Sequence, residues 1–142
     1  MPILTVLLAS APDPSLAREL ADKLLDITEQ ALAKRRELTA VALQFVEPAH
    51  WFIGGQPLDP QRASAFVEIR VSAGTNTPAQ MADFIARTHA ALAALPGRLH
   101  EVSYVQVQEV PAAHWGWGGR SQAERATGVS PSFAPPTPLS TP

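Results

Sequence analysis

Hydrophobic residues recur along the chain with two different spacings, and the changes between them mark strands and helices. A nearly continuous apolar run at residues 1–8 predicts a first strand that is buried. Asp13 and Pro14 suit the N-cap and the first position of a helix. An apolar stripe with spacings of four, four, three and four residues predicts that this helix continues to about residue 33. The stripe is formed by Leu16, Leu20, Leu24, Ile27 and Ala31.

The middle of the chain predicts two further strands in different surroundings. Residues 39–46 predict a second strand, and residues 47–62 predict a loop because they are rich in glycine and proline. Residues 65–71 predict a third strand, in which apolar positions alternate with Phe66, Glu68 and Arg70. One face of this strand carries two charges, which is unusual for a strand that is buried on both sides.

A second helix and a fourth strand complete the pattern. Thr77 and Gln80 have the spacing of a capping box, and Pro78 takes the first helical position. An apolar stripe follows, and Pro96 with the next glycine ends the helix. The stripe is formed by Met81, Ile85, Thr88, Leu92 and Leu95. Residues 102–110 predict the fourth strand.

The two halves of the chain repeat each other. Residues 49–55 and 113–119 are identical at five of seven positions, at an offset of 64 residues (113 − 49). The same offset places Pro2 opposite Phe66, so the first strand matches the third. A self-match in register with the order of elements indicates a duplicated βαβ unit with parallel strands. We therefore predict one domain over residues 1–125, with halves 1–62 and 63–125, and a disordered proline-rich tail over residues 126–142.

Composition narrows the range of partners and chemistries. The net charge of −2 and the isoelectric point near 6.0 give no reason to expect nucleic acid or a membrane as a partner. The chain has no cysteine, and its four histidines lack the spacing of metal ligands, so we predict no metal. The apolar runs are too short to span a membrane, and the N-terminus lacks the basic region of a signal peptide. The expected location is cytoplasmic.

The N-terminus itself is a candidate for chemistry. An initiator methionine is normally removed when a small residue follows it, which would leave Pro2 with a free secondary amine. A strand directly after Pro2 would hold that amine at a fixed place in the fold. The alternative is that the beginning of the chain is only an edge strand, where proline is tolerated.

Taken together, these features resemble the tautomerase superfamily, which includes 4-oxalocrotonate tautomerase and macrophage migration inhibitory factor. The resemblance covers residues 2–125 and rests on Pro2, the paired βαβ halves, and the motifs that follow the second and fourth strands. Residues 40–55 look like the matching part of the inhibitory factor and of cis-3-chloroacrylic acid dehalogenase. Residues 113–120 resemble part of malonate semialdehyde decarboxylase.

The resemblance implies an α+β fold with a four-stranded mixed sheet and two helices on one face. It also implies a homotrimer in which the N-terminal proline lies at a subunit interface, and chemistry that needs no cofactor. A neutral Pro2 amine could remove a proton next to a carbonyl group and return it elsewhere, as a general base and then an acid. Burial among apolar groups favours this neutral form because it disfavours the ammonium ion.

Several residues carry over from the family with two open interpretations each. Lys34 matches a lysine near the active site of the inhibitory-factor group, or is a cation at a helix end. Tyr104 matches a pocket tyrosine, or is a core residue. Arg70 could bind an anionic substrate group, or could pair with Glu68 on a trimer face. The arginine pair of the dehalogenase is missing here, since its positions hold serine and threonine at residues 72 and 75.

Two residues of the second repeated motif are further candidates. His114 lies close to the position of a catalytic glutamate in the dehalogenase and could act as an acid or base, or could only pack its loop. Trp115 could close the wall of a substrate pocket, or pack the same loop.

The preferred hypothesis is a keto–enol tautomerase that acts on a small 2-oxo acid or aryl pyruvate, with Pro2 as the base. One alternative is a hydratase, dehalogenase or decarboxylase that uses a protonated Pro2. Another is a trimeric binding protein without catalytic activity.

Overall fold

The computed structural model describes residues 1–128, which form nine strands, three α-helices and two short 3₁₀ turns. The first half holds β1 (Ile3–Ala9), α1 (Pro14–Leu32), a turn (Arg36–Leu38), β2 (Ala40–Val46), a turn (Pro48–His50), β3 (Phe52–Ile53) and β4 (Gln56–Pro57). The second half holds β5 (Arg62–Ser72), α2 (Pro78–Ala93), β6 (Arg98–Leu99), β7 (Tyr104–Val110), β8 (Gly116–Trp117), β9 (Arg120–Ser121) and α3 (Gln122–Thr127).

The four long strands form one mixed sheet in the order β2-β1-β5-β7. β1 pairs in parallel with β2, and β5 pairs in parallel with β7, as expected for two βαβ units. The two units join along β1 and β5, which run antiparallel with Val6 opposite Val67. Two-residue β6 adds a fifth, short strand beside the beginning of β5. The predicted α+β architecture with a mixed sheet is therefore confirmed.

The core lies between one face of the sheet and the helices α1 and α2. Strand residues of alternating position, such as Val6 and Ile69, are fully buried against the helices. The stripe predicted for α1 packs against this core along its whole length. On α2 the buried positions are Phe84, Thr88 and Leu92, whereas Ile85 is exposed, so its place in the predicted stripe is wrong. Phe84 precedes Ile85 by one residue, about 100° around the helix, and it is the larger side chain that fills the core.

The sequence repeat is also a repeat of backbone geometry. The amide of Leu58 donates to the carbonyl of Trp51 at 2.8 Å, and the amide of Gln122 donates to the carbonyl of Trp115 at 2.9 Å, each pair 64 residues apart. The two glycines at each hairpin tip have similar left-handed φ angles, +59° and +78° in the first half and +59° and +75° in the second. Matching hydrogen bonds and dihedral angles at one offset indicate duplication of the whole unit.

The other face of the sheet has no helix of residues 1–128 over it. β1, β5 and β7 place Ile3, Glu68, Arg70 and Tyr104 there, and β2 adds small and polar side chains. Ile3 is 37% exposed and Tyr104 is 60% exposed, while Arg70 Nε bonds Glu68 Oε1 at 2.8 Å. The structure thus confirms the charged face predicted for the third strand, and it leaves apolar groups open on the same surface.

The C-terminal part of the chain differs from the predicted tail at its beginning. Ala126 and Thr127 belong to α3, which begins with a capping box between Ser121 and Glu124. The rest of the predicted proline-rich tail, residues 129–142, lies outside the described residues. Within the part of the chain that the structure describes, no helix is both long and apolar enough to cross a membrane.

Candidate active site

Pro2 is buried at the end of the sheet where β1 begins. Its carbonyl accepts a hydrogen bond from the amide of Ala40 at 3.3 Å, which extends the β1–β2 ladder to the N-terminus. A pocket of about 370 Å³, here named the Pro2 pocket, opens beside it. Its walls are Met1, Pro2, Lys34, Val71, Ser72, Ala73, Thr75, Ala112, Gln122, Arg125 and Ala126. The first strand therefore holds the N-terminus at one fixed place, as the sequence predicted.

Lys34 reaches the Pro2 pocket because of the way α1 ends. Ala33 caps the helix in the left-handed conformation, with φ +53°, and is the one residue other than glycine with positive φ among residues 1–128. This conformation costs an alanine about 1–2 kcal/mol, so the turn is set by its surroundings. Lys34 then donates from Nζ to Oγ1 of Thr75 at 3.0 Å, across the pocket wall.

Arg125 supplies a second cation to the Pro2 pocket. Its guanidinium lies 3.5 Å from the ring centre of Trp117, and its Nη2 donates to the carbonyl of Trp117 at 2.9 Å. Stacking on an aromatic ring and a carbonyl bond hold a guanidinium in one orientation. The capping box of α3, in which the amide of Glu124 bonds Oγ of Ser121 at 3.1 Å, fixes the helix that carries Arg125.

Met1 fills part of the pocket that its neighbours form. Its carbonyl oxygen accepts a hydrogen bond from Nε2 of Gln122 at 3.1 Å. A smaller concavity of about 180 Å³, lined in part by Ala33 and Lys34, lies on the other side of Met1 and Pro2. Removal of Met1 would therefore join open space on both sides of Pro2 and free the side-chain amide of Gln122.

The electrostatics of the Pro2 pocket disfavour protonated amines. Burial lowers the pKa of the Met1 α-amino group below its usual 8.0, and the positive charges of Lys34 and Arg125 lower it further. Burial likewise lowers the pKa of Lys34 below 10.5. An anionic ligand in this pocket would be favoured by both cations, while a neutral terminal amine could accept a proton.

The structure brings together only part of the predicted site. Pro2 and Lys34 share one pocket, and Trp115 touches its edge, since Nε1 of Trp115 donates to Ser72 Oγ at 3.3 Å. His114 is exposed and lines a separate, shallow concavity beside the second hairpin. Arg70 and Tyr104 lie on the uncovered face of the sheet, outside the walls of the Pro2 pocket.

Two pocket residues were not predicted from the sequence, namely Gln122 and Arg125. A signal for both was present, because Ser121 and Glu124 have the capping-box spacing of a helix beginning there. The positions that hold the arginine pair in the dehalogenase, Ser72 and Thr75, do line the pocket. Arg125 places a guanidinium there from a different element. Among residues 1–128 there is no group of three or more His, Asp or Glu side chains that could hold a metal ion.

Solved structures of several proteins have the same fold. The chain superposes on a fused 4-OT wild-type asymmetric trimer with a TM-score of 0.75 and 24% identity, over 89% of this chain and 99% of that chain. For FG41 malonate semialdehyde decarboxylase inhibited by 3-bromopropiolate, the values are 0.69 and 17%, over 90% and 98%. For a macrophage migration inhibitory factor-like protein from Entamoeba histolytica, they are 0.67 and 20%, over 84% and 97%.

No protein-family model matches the chain, and neither does any curated protein sequence. The structural likenesses span nearly the full length of each of these three proteins, so they concern the whole domain and not one βαβ unit. They confirm the resemblance that the sequence predicted. This chain has the fold of the tautomerase superfamily.

Proposed function

We propose that this protein is a cofactor-independent keto–enol tautomerase that acts on a small 2-oxo acid or aryl pyruvate. Pro2, exposed by removal of Met1, would be its general base and then its general acid. The observation that carries the proposal is the placement of the N-terminus in a partly buried pocket between two cations, Lys34 and Arg125. An N-terminus without a role is usually at the surface and free of such contacts.

The pocket favours the base form of Pro2. Burial and the two neighbouring cations act on the Met1 amine, and we expect them to lower the pKa of the Pro2 amine in the same direction. A neutral nitrogen can take the proton from the carbon next to the carbonyl of a 2-oxo acid. The resulting ammonium then returns that proton to another position of the enolate, so no proton is lost or gained overall.

The other pocket residues suit the charges of such a substrate. A 2-oxo acid carries a carboxylate, which Lys34 and Arg125 can bind through charge-assisted hydrogen bonds. The enolate oxygen that develops needs a donor close by, and Gln122 has an amide donor in the pocket once Met1 is removed. Apolar walls at Val71 and Ala112 leave space for an alkyl or aryl group.

We propose that the active form is a homotrimer. Structural neighbours include fused 4-OT proteins described as symmetric and asymmetric trimers. The uncovered sheet face, with Ile3 and Tyr104 exposed, offers apolar area for association. In a trimer Arg70 and Tyr104 would approach the Pro2 pocket of a neighbouring copy, which is the role that the family resemblance gives Tyr104. The catalytic role of His114 and the cytoplasmic location remain predictions.

The alternatives differ in the charge on Pro2. A hydratase, dehalogenase or decarboxylase of this fold would use a protonated Pro2, which two nearby cations disfavour. A binding protein without activity would not depend on the amine at all. The lowered pKa of the terminal amine therefore favours the tautomerase over both.

Ketonisation of phenylenolpyruvate, followed by its ultraviolet absorbance, tests the proposal. Pro2→Ala should lower kcat/KM by about a hundredfold or more, the usual contribution of a general base. Alanine is also small, so Met1 should still be removed and only the secondary amine and its ring are lost. Pro12→Ala, in the exposed turn before α1, is the matched control and should keep wild-type activity. Equal rates for Pro2→Ala and the wild-type protein would exclude Pro2 as the base.

A further inference from the structure

The Pro2 pocket has a structural counterpart in the other half of the repeat. Gln122 lines the Pro2 pocket, and its repeat equivalent Leu58 lines a cavity at the opposite end of the sheet. Lys34 follows the left-handed Ala33, and 64 residues later Arg98 follows Gly97, which has φ +91°. The repeat thus builds the same two wall elements twice, with a cation in both.

The counterpart lacks a terminal amine. By the repeat offset, the position of Pro2 is taken by Phe66, which lies within β5 and pairs with Tyr104 of β7. The backbone nitrogen there is an amide, which cannot act as a base near neutral pH. Any role of this end of the sheet is therefore in binding and not in proton transfer by the main chain.

Two arginines line the larger of two adjoining cavities at this end, here named the Arg98 pocket, which has a volume of about 460 Å³. Arg62 and Arg98 lie directly opposite each other in the parallel pairing of β5 and β6, where like charges are destabilising. Among residues 1–128 neither side chain is within ion-pair distance of a carboxylate. Nε of Arg62 is buried without a hydrogen-bond partner in the described part of the chain, and its Nη2 makes one long bond, 3.5 Å, to the carbonyl of Leu99.

His100 adds a neutral hydrogen-bond donor to the same walls. Its Nδ1 accepts a hydrogen bond from the amide of Val102 at 3.0 Å, so the proton of the neutral ring lies on Nε2. The ring also lines the adjoining cavity of about 220 Å³ that contains Leu58. His89 is the second imidazole of the Arg98 pocket.

Two carboxylates lie near these cations and must be counted. Glu101 lines the Arg98 pocket, and Asp59 lines the adjoining cavity. Asp59 already accepts from the amide of Gln61 at 2.9 Å, and Glu101 is exposed. Neither neutralises the arginine pair at close range, so the pair retains donors that face the cavity.

We propose that the Arg98 pocket binds a small oxyanion, a phosphate or the carboxylate of a small acid, through Arg62, Arg98 and Nε2 of His100. Such an anion would remove the repulsion between the two opposed arginines and would satisfy the buried Nε of Arg62. The duplication explains how the site arose, since each half kept its cation after the left-handed turn. Only the first half acquired the terminal amine, and only it can combine anion binding with base chemistry.

Titration of the full-length protein with inorganic phosphate tests the proposal through the imidazole signals in ¹⁵N NMR spectra. Phosphate should move the Nε2 signal of His100, assigned with His100→Gln, along a saturable curve. Arg98→Gln, at an exposed residue that leaves folding intact, should raise the Kd for phosphate about tenfold, as expected for one charge-assisted hydrogen bond. Arg62→Gln should act in the same direction, and acetate in place of phosphate should move the same signal at higher concentration.

Two control variants show whether phosphate binding is confined to the Arg98 pocket. Lys34→Gln removes the cation of the Pro2 pocket, and Arg87→Gln removes an exposed arginine of α2 that lies outside the Arg98 pocket. Both should leave the Kd read at His100 unchanged. The proposal is overturned if His100 does not respond to phosphate or if Arg98→Gln binds with the wild-type Kd. It is also overturned if Lys34→Gln or Arg87→Gln weakens binding as much as Arg98→Gln does.

Discussion

Nε2 of Gln122 donates a hydrogen bond to the carbonyl oxygen of Met1 at 3.1 Å, and Gln122 is the repeat equivalent of the buried Leu58. The two halves therefore diverge where the Pro2 pocket lies. In the first half the position packs as an apolar side chain, and in the second it directs an amide donor at the N-terminus. When Met1 is removed, that donor loses its partner and becomes available to a ligand.

Substitution of Gln122 tests whether this donor serves catalysis. Gln122→Leu copies the residue of the other half, so we expect little change in stability. It should lower kcat/KM by about tenfold, because one hydrogen bond of about 1.4 kcal/mol to the enolate oxygen is lost. Gln61→Leu, at an exposed turn residue, is the matched control for steady-state kinetics. Unchanged kinetics in Gln122→Leu would remove this residue from the mechanism.

The pH dependence of activity tests the electrostatics of the pocket. A base form of Pro2 is lost as the pH falls, so kcat/KM should rise with pH. Its apparent pKa should lie below about 7.7–8.0, the range of an unperturbed α-amino group. Lys34→Gln or Arg125→Gln removes a positive charge that disfavours the ammonium form, and each should shift this apparent pKa upward.

The same two variants should also raise KM for an anionic substrate, since each removes a partner for its carboxylate. Lys23→Gln is the control, because Lys23 lies on α1 in an exposed pair with Glu19. Its pH profile should match that of the wild-type protein. An apparent pKa that moves downward in Lys34→Gln would show that this cation does not disfavour the ammonium form of Pro2.

The left-handed Ala33 should be a position where glycine stabilises the fold. Ala33→Gly relieves a conformational cost of about 1–2 kcal/mol and adds about 0.5–1 kcal/mol of backbone entropy cost, so we expect a small net gain in the free energy of unfolding. Ala21→Gly, inside α1, lacks this relief and should lose about 1 kcal/mol. Urea unfolding of both variants measures the difference. A loss of stability in Ala33→Gly would show that its conformation is not strained.

Gly116 should tolerate no side chain. A Cβ atom there would overlap the backbone carbonyl of Arg120 and lie 2.7 Å from Cα of Ser121. Gly116→Ala should therefore destabilise the β8–β9 hairpin by about 1–3 kcal/mol. Gly55→Ala, at a tip with open space but φ +78°, should cost less, about 1 kcal/mol. Thermal unfolding compares the two, and equal stability of Gly116→Ala and the wild-type protein would contradict the hairpin packing.

The uncovered sheet face should be the surface of self-association. We expect a trimer in sedimentation velocity experiments, and Ile3→Glu should dissociate it because the charge would be placed in the interface. Ile85→Glu is a close control, since Ile85 is 40% exposed and Ile3 is 37% exposed, but Ile85 lies on α2. Dissociation by Ile85→Glu and not by Ile3→Glu would assign the interface to the helical face.

The elements of this fold could be predicted because each has a local cause. Asp13 and Thr77 cap the helices as predicted, and their first bonds follow the same pattern, with Ala17 and Met81 donating to the two cap carbonyls. The alternation in β5 likewise places Ile69 in the core and Arg70 outside it. Caps and periodicity are encoded within a few residues, so they can be read without the tertiary structure.

The composition of the site could be predicted only in part because it depends on contacts across the whole chain. Gln122 bonds Met1 across 121 residues, and no periodic pattern encodes such a contact. Arg125 is brought to Pro2 by a helix of only six residues, in a segment that precedes a proline-rich tail. Pro2 and Lys34 were found because the family resemblance, and not their spacing, pointed to them.

The intact mass of the purified protein, before and after treatment with 3-bromopyruvate, shows whether Pro2 carries a free and reactive amine. We expect loss of Met1 and one added group per chain, mapped to the nitrogen of Pro2 by peptide analysis. Pro12→Ala should label in the same way, and prior occupation by a 2-oxo acid should slow the reaction. Retention of Met1, or labelling of other residues while Pro2 stays unmodified, would contradict a mechanism that depends on the N-terminal amine.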